Sequence, residues 1–266
     1  MNILTILRDY FPGLIPIFRH LLYRFERVPS LPQEKPARIN IGQVSFLWWI
    51  RTRKDWWMAS KDYAEIEQLI IFAQAVKSIR NCCFWDIGAA QGIYTLTAVA
   101  AGASKVISFE PHEPSFKALV SNIRLNDYTK KVNPMSIALG NQSGERLLFY
   151  GKTSPSMIKN AEAHDTSILI KVSTIDELIA KGTPSPSIIK IDIEGFEFEV
   201  LSGAKKLLSS ANKPAHLFVE IHDDYLRKIG KSHIDIIDML EKHGYKRLLK
   251  DEVREGPRYL CHFSTK

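Results

Sequence analysis

The residues with the clearest chemical potential form a glycine-containing turn at 86–92, Asp-Ile-Gly-Ala-Ala-Gln-Gly. An apolar segment precedes this turn and a helical pattern follows it, which predicts a strand-to-helix connection. Gly88 and Gly92 leave room for a ligand beside the backbone, and the helix N-terminus offers unpaired N–H groups. Asp86 would repel a pyrophosphate but suits an ammonium group, which favours the methionine end of S-adenosylmethionine (SAM) over NAD.

A second acid, Glu110, ends the segment Lys-Val-Ile-Ser-Phe-Glu and lies 18 residues after Gly92. This spacing is close to that of the acid that binds ribose hydroxyls at the tip of the second strand in dinucleotide-binding folds. A carboxylate can accept hydrogen bonds from two hydroxyl groups at once. Because SAM and NAD both contain ribose, Glu110 does not distinguish between them.

Two further acids, Asp192 and Glu194, end an isoleucine-rich segment that is predicted to be a buried strand. If the strand continued through Glu194, the two side chains would share one face, and if it ends sooner their directions are not predictable. Both lie at the carboxyl edge of the sheet, where open α/β folds bind ligands. Gly195 permits a sharp turn, and Glu197 and Glu199 suit the dipole of the next helix without a functional role.

From residue 83 onward, apolar strands alternate with helical patterns, which predicts a doubly wound, mostly parallel sheet. Strands are predicted at 83–87, 105–109, 132–139, 187–192, 217–221, 245–250 and 258–263, with a hairpin over 145–173. Helices are predicted at 62–79, 93–101, 113–125, 174–181, 196–209 and 233–243. Thr174 is the predicted N-cap of its helix.

Residues 1–61 differ from the rest of the chain, since they carry ten Lys or Arg against four Asp or Glu. Apolar residues at helical spacing over 1–27 predict amphipathic helices, and the prolines of 28–40 predict a linker. This helical N-terminal extension would be a lid over the ligand pocket or a contact with an anionic membrane or lipid-linked glycan. The aromatic residues that follow could be core or could stack on sugar rings, namely Phe46, Trp48, Trp49, Trp56 and Trp57.

Composition limits the partners and the compartment. The net charge is +7, but no run of five like charges and no RNA-binding or zinc-finger motif occurs, so no nucleic-acid partner is predicted. Cys82, Cys83 and Cys261 have neither zinc-ligand nor disulfide spacing, which is typical of reduced cysteines. We expect no transmembrane helix and no signal peptide, and therefore a cytoplasmic protein with an alternative of peripheral membrane contact.

Together these motifs resemble the FkbM-type SAM-dependent methyltransferase family. The resemblance covers residues 62–250 and depends on four segments, DIGAAQG at 86–92, FEP at 109–111, IKIDIEGFEFEVLSGA at 189–204 and VEIH at 219–222. It implies a Rossmann-like class I methyltransferase domain over 62–266. It also implies O-methylation of a hydroxyl on a sugar, glycan or natural product. Gln91 stands where Asn is frequent in this motif, and it retains the same hydrogen-bonding groups.

The resemblance also implies roles by position. The cofactor would contact Asp86, Gly88, Ala89, Gln91, Gly92, Glu110, Pro111, Ala138 and Leu139, the last two beside the adenine. The methyl-transfer end would hold Asp192, Glu194, Glu220 and His222. We expect Asp192 or His222 to accept the proton of the acceptor hydroxyl, with Glu194 and Glu220 orienting the acceptor. These carboxylates with His222 could hold a divalent metal, but no ligand spacing requires one, so none is predicted.

Two other functions remain open from the sequence alone. An NAD-dependent oxidoreductase would use a similar fold, although Asp86 and the lack of GxGxxG spacing disfavour it. A non-catalytic SAM-binding protein associated with a membrane is the other alternative. The acceptor would be a small molecule or glycan, and a nitrogen nucleophile in place of the hydroxyl stays open. The oligomeric state cannot be deduced from the sequence.

Overall fold

The computed structural model describes residues 34–59, 63, 65–151, 155–158, 164–250 and 258–265. The helices predicted over 1–27 lie outside these residues, as does the beginning of the predicted linker. The assignment of residues 1–61 as a lid or membrane contact therefore stays a prediction.

The described elements alternate between strands and helices for most of the chain. The strands are β1 (Lys35–Ile41), β2 (Val44–Ile50), β3 (Cys83–Ile87), β4 (Lys105–Phe109), β5 (Val132–Met135), β6 (Ala138–Leu139), β7 (Gly144–Gly151), β8 (His164–Ser173), β9 (Ile188–Ile191), β10 (His216–His222), β11 (Lys246–Lys250) and β12 (Arg258–Ser264). The helices are α1 (Arg53–Met58), α2 (Ile66–Ser78), α3 (Ile93–Ala100), α4 (Glu113–Leu125), α5 (Ile175–Ala180), α6 (Glu197–Ser202), α7 (Lys205–Ser209), α8 (Asp223–Leu226) and α9 (His233–Lys242).

The central sheet has the strand order β11-β12-β10-β9-β3-β4-β5. The five strands from β10 to β5 are parallel, and β12 is antiparallel to both of its neighbours. Strands β4 and β5 lie on one side of β3 in the sheet, and β9 and β10, which come later in the chain, lie on its other side. The carboxyl ends of β3 and β9 therefore flank the switch point, where doubly wound sheets bind their ligands. The predicted mostly parallel α/β sheet is confirmed.

An antiparallel hairpin of β1 and β2 occupies the region predicted to be the end of a linker and part of a helical extension. That prediction is wrong for residues 35–50, because alternate side chains of both strands are buried. The buried set is Ile39, Ile41, Val44, Phe46, Trp48 and Ile50. Phe46 and Trp48 are thus core residues, whereas Trp56 is 47% exposed. Gly42, with φ of +56°, forms the tight turn between the strands.

Two predicted boundaries also differ from the structure. The strand predicted over 132–139 ends at Met135. Ala138 and Leu139 instead pair in parallel with β8 in a second sheet of order β6-β8-β7. The helix predicted over 196–209 is broken after Ser202, because Gly203 packs against the backbone of residue 140, where a Cβ would lie 2.0 Å from the carbonyl oxygen. The Asp176 carboxylate then accepts hydrogen bonds from the first N–H groups of α7.

The core forms two layers, one on each face of the central sheet. On one face the hairpin, α2, α3 and α4 cover Phe84, and Phe72 packs against it with ring centroids 4.8 Å apart. On the other face α5, α6, α7 and α9 cover Trp85 and its neighbours on β9 and β10. Adjacent strand residues therefore enter opposite layers, as strand geometry requires. Among the described helices, none combines the length and apolarity that crossing a membrane needs.

Candidate active site

The glycine turn after β3 packs directly against the turn after β9. Gly88 has φ of +78°, and a Cβ at this position would lie 1.9 Å from the Asp192 carbonyl oxygen. The Asp192 N–H in turn donates to the Ile87 carbonyl over 3.0 Å. Gly92, with φ of +98°, is confined by Leu119, 2.5 Å from where its Cβ would be. Gly88 is thus required by packing against backbone, and Gly92 is favoured by its left-handed backbone conformation, in addition to any approach of a ligand.

Lys190 is the central cation of the site, and the sequence analysis did not identify it. Its side chain is buried, and its Nζ lies 3.0 Å from Asp192 Oδ2, 3.3 Å from the Gly88 carbonyl oxygen and 3.9 Å from Asp86 Oδ1. Burial alone would lower the pKa of Lys190, but the carboxylates of Asp192 and Asp86 raise it above its usual value. The ammonium group is therefore charged, and it connects the turns after β3 and β9.

The structure places Asp86 behind the glycine turn rather than on a ligand-binding wall. Its side chain is buried, and Oδ2 accepts a hydrogen bond of 2.6 Å from the Thr95 hydroxyl. Burial raises the pKa of Asp86, and Lys190 and Thr95 partly oppose this. In these described contacts Asp86 orders the turn, and it is not among the residues that line the cleft described next.

A cleft opens at the carboxyl ends of β3, β4 and β9. Among the described residues it is lined by Ile87, Gly88, Ala90, Phe109, Glu110, Pro111, Ser115, Ile137, Ala138, Leu139, Leu148, Pro155, Ser156, Met157, Asp192, Ile193 and Glu194. This set includes five of the nine expected cofactor contacts and two of the four expected catalytic residues. The set does not include Asp86, Ala89, Gln91, Gly92, Glu220 or His222.

Glu110 projects its carboxylate into this cleft and is held by two backbone groups. Oε2 accepts a hydrogen bond of 2.8 Å from the Ala90 N–H, and Oε1 accepts one of 2.9 Å from the His112 N–H. Burial raises the pKa of Glu110 to about 7, against the lowering effect of these hydrogen bonds. Each oxygen retains a further lone pair, so the carboxylate can accept two more hydrogen bonds from a ligand.

The turn after β9 has an unusual backbone. Because β9 ends at Ile191, Asp192 and Glu194 do not continue a strand, and both line the cleft through a turn. Glu194 has φ of +53°, a left-handed conformation that is strained for a residue with a side chain. The Ser156 hydroxyl donates to the Glu194 carbonyl over 2.8 Å. Tyr225 packs so closely against Gly195 that a Cβ at residue 195 would lie 2.1 Å from the Tyr225 Cβ. These contacts hold the Glu194 side chain at the cleft.

His222, at the end of β10, lies beneath this turn and is fully buried. Its Nδ1 is 2.7 Å from Glu197 Oε1, and its Nε2 is 3.6 Å from Glu194 Oε2 and 3.8 Å from Glu220 Oε1. Burial would lower the pKa of His222, but the hydrogen bond and charge of Glu197 with the other carboxylates raise it to about 10. Burial and the charge of Asp192 raise the pKa of Glu220 to about 8, although His222 opposes them.

Glu197 therefore has a role that its position in a first helical turn did not indicate. Its side chain is fully buried, and Oε1 accepts hydrogen bonds from the Gly195 N–H at 2.8 Å and from His222. The expectation that Glu197 only complements the helix dipole is wrong. A buried carboxylate with such partners fixes both the Gly195 turn and the histidine ring.

Comparisons with known proteins identify the family of this chain. The family model of the methyltransferase FkbM domain matches residues 86–247. The hexuronic acid methyltransferase AglP of Haloferax volcanii is 30% identical over 191 residues, which are 70% of this chain and 70% of that protein.

A solved methyltransferase structure shares the fold. The SAM-dependent methyltransferase from Agrobacterium tumefaciens is similar with a TM-score of 0.50 and 13% identity, over 90% of this chain and 72% of that one. The methyltransferase FkbM from Methylobacillus flagellatus KT is 19% identical with a TM-score of 0.48, over 70% of this chain and 44% of that structure's length. The NAD-dependent and non-catalytic alternatives find no support. This chain belongs to the FkbM family of SAM-dependent methyltransferases and has their class I α/β fold.

Proposed function

We propose that this chain methylates a hydroxyl oxygen of a sugar, and that a hexuronic acid residue of a glycan is the acceptor. The Haloferax volcanii relative, a hexuronic acid methyltransferase, supports this class of acceptor. The observation that carries the proposal is that Glu110, Asp192 and Glu194 line the same cleft. Glu110 suits the ribose of the cofactor, and Asp192 and Glu194 suit an acceptor hydroxyl beside it.

The lining of the cleft fits SAM. The Glu110 carboxylate has free lone pairs for the two ribose hydroxyls, because its backbone partners occupy only one position on each oxygen. Phe109, Ile137 and Leu139 provide an apolar wall for the adenine. When bound, SAM supplies an electrophilic methyl group on a positively charged sulfur.

The acceptor hydroxyl needs a base, because an alcohol is a poor nucleophile while it keeps its proton. We assign this role to Glu194, since its carboxylate lines the cleft. The Asp192 carboxylate is paired with the Lys190 ammonium group at 3.0 Å, and we assign it the role of orienting the hydroxyl. His222 is fully buried and acts through the carboxylates that it contacts. This division of roles replaces the expectation that Asp192 or His222 accepts the proton.

Residues 155–157, which precede β8, help to keep water out of the reaction. Pro155, Ser156 and Met157 line the cleft, and the Ser156 hydroxyl is bonded to the backbone of the Glu194 turn. Exclusion of water strengthens the electrostatic interactions inside the cleft and prevents hydrolysis from competing with transfer.

The charge of the site favours a hydroxyl over the carboxylate of a hexuronic acid. Asp192 and Glu194 bring two carboxylates to this end of the cleft, and a substrate carboxylate placed beside Glu194 would be repelled. A hydroxyl can instead donate its proton to one of these groups. The expected product is a methyl ether.

This proposal is tested by transfer of radioactive methyl from labelled SAM to an oligosaccharide with a terminal hexuronic acid. We expect a labelled product that withstands mild alkali, because an ether is stable there and a methyl ester is hydrolysed. Label released by alkali would show that the carboxylate is the acceptor. Absence of transfer to this oligosaccharide and to its neutral hexose analogue would contradict a sugar acceptor.

We expect the affinity for S-adenosylhomocysteine to fall as the pH drops below about 7. The ionised form of Glu110 accepts the ribose hydroxyls, and its pKa of about 7 means that lower pH converts it to the weaker-binding acid. Binding should weaken by up to about tenfold per pH unit below that value. Calorimetric titration at pH 6, 7 and 8 measures this effect.

The Glu110→Gln variant should bind weakly at every pH and lose this dependence. Glu113→Gln, which removes an exposed acid of α4, is the matched control and should behave like the wild type. An affinity of the wild type that does not change between pH 6 and pH 8 would remove Glu110 from ribose binding.

Replacement of Glu194 by Gln should lower kcat by about 10²- to 10⁴-fold, because a neutral amide cannot accept the hydroxyl proton. The dissociation constant for S-adenosylhomocysteine should stay within about threefold of the wild type, since the change is confined to the acceptor end. Glu199→Gln, in the neighbouring helix, is the control and should keep its turnover. A Glu194→Gln enzyme with nearly full kcat would mean that another group is the base.

A further inference from the structure

Three side chains from the ends of β9 and β10 converge beside the cleft. The ligand atoms of Asp192, Glu220 and His222 all lie within 4.8 Å of one another. Two atoms bound to one metal ion at about 2.1 Å lie about 3 Å apart when they are adjacent and about 4.2 Å apart when they are opposite. A small adjustment of the three side chains would therefore bring their ligand atoms onto one ion.

The orientation of His222 is an independent observation that points to a cation. Glu197 fixes Nδ1 at 2.7 Å, so Nε2 faces the carboxylates of Glu220 and Glu194. Nε2 is buried and makes no hydrogen bond within the described part of the chain. A buried carboxylate that holds the far nitrogen of a histidine is the arrangement that orients a metal-binding imidazole.

Several carboxylates face His222. In the ion-free site its raised pKa keeps the imidazole charged, so that it compensates part of this charge, and a bound ion would displace its Nε2 proton. Four carboxylates surround this point, Asp192, Glu194, Glu197 and Glu220, and Lys190 is the nearby lysine. Lys190 contacts Asp192 and also the Gly88 carbonyl, so it compensates only part of this charge. Partly buried carboxylates are costly unless cations or hydrogen-bond donors compensate them.

We propose that Asp192, Glu220 and His222 bind one divalent cation of the Mg²⁺ and Mn²⁺ class. Two carboxylate oxygens suit these hard ions, and a single imidazole is compatible with Mn²⁺. The proposal rests on the proposed function, because it places the ion at the acceptor end of the cleft. The remaining coordination positions are available to water or to the acceptor oxygen.

The bound ion would act as a Lewis acid on the acceptor hydroxyl and lower its pKa. Glu194 accepts the hydroxyl proton, the oxygen forms a bond to the methyl carbon, and the carbon–sulfur bond breaks. The electron pair of that bond stays on sulfur, which leaves as the neutral thioether of S-adenosylhomocysteine. The ion remains in place and is not consumed.

The experiment is a titration of the full-length protein with MnCl₂, in which electron paramagnetic resonance detects the free ion. We expect one site in the wild type, displaced by MgCl₂, and binding weakened at least about tenfold in Glu220→Gln. Glu241→Gln, an exposed acid of α9, is the control and should bind like the wild type. Equal Mn²⁺ binding by wild type and Glu220→Gln, or none by the wild type at millimolar concentration, would overturn the proposal.

The Glu197→Gln variant tests whether Glu197 positions His222, because Glu197 is not one of the proposed ligands of the ion. Its Mn²⁺ affinity should fall about 10- to 100-fold, which is typical of a lost partner of a metal-binding histidine. Titration of each sample with S-adenosylhomocysteine confirms that the variants are folded. Methyl transfer that persists in EDTA would overturn the metal proposal alone, whereas loss of S-adenosylhomocysteine binding by the wild type would contradict the proposed function.

Discussion

The buried ammonium group of Lys190 is the interaction on which the site depends. It contacts the Gly88 carbonyl and the carboxylates of Asp192 and Asp86, and its Nζ lies over the Tyr94 ring at 4.9 Å. The two turns that line the cleft come from β3 and β9, which are neighbours in the sheet. A cation between them offsets the negative charge that both turns bring to the switch point.

The remainder of the site is arranged around this ion pair. The close contact of Gly88 with Asp192 places the turn after β3 and the turn after β9 side by side, so that both line one cleft. The strained backbone of Glu194 persists because Ser156 bonds its carbonyl and Glu197 bonds the next N–H. Such strain is found where the surrounding structure over-determines a functional side chain.

Much of the domain from residue 83 onward follows from the sequence, because apolar strands and helical patterns alternate clearly there. Of the two site residues that the sequence analysis missed, Glu197 has an ambiguous local signal and Lys190 does not. Glu197 is indistinguishable from an acid that suits a helix dipole until its burial is known. Lys190 did leave a signal, since a lysine inside an isoleucine-rich strand must find a charged partner. The β1–β2 hairpin was detectable in the alternation of Val44, Phe46, Trp48 and Ile50, which the aromatic content obscured.

The most direct test of this account is the affinity of a folded Lys190→Met variant for S-adenosylhomocysteine, measured by calorimetry. Without the ammonium group, Asp86 and Asp192 lose their shared cation and the Gly88 turn loses its partner. We expect binding at least about tenfold weaker than in the wild type and in the exposed control Lys171→Met. Unchanged affinity in Lys190→Met would contradict the claim that this cation holds the two turns of the site together.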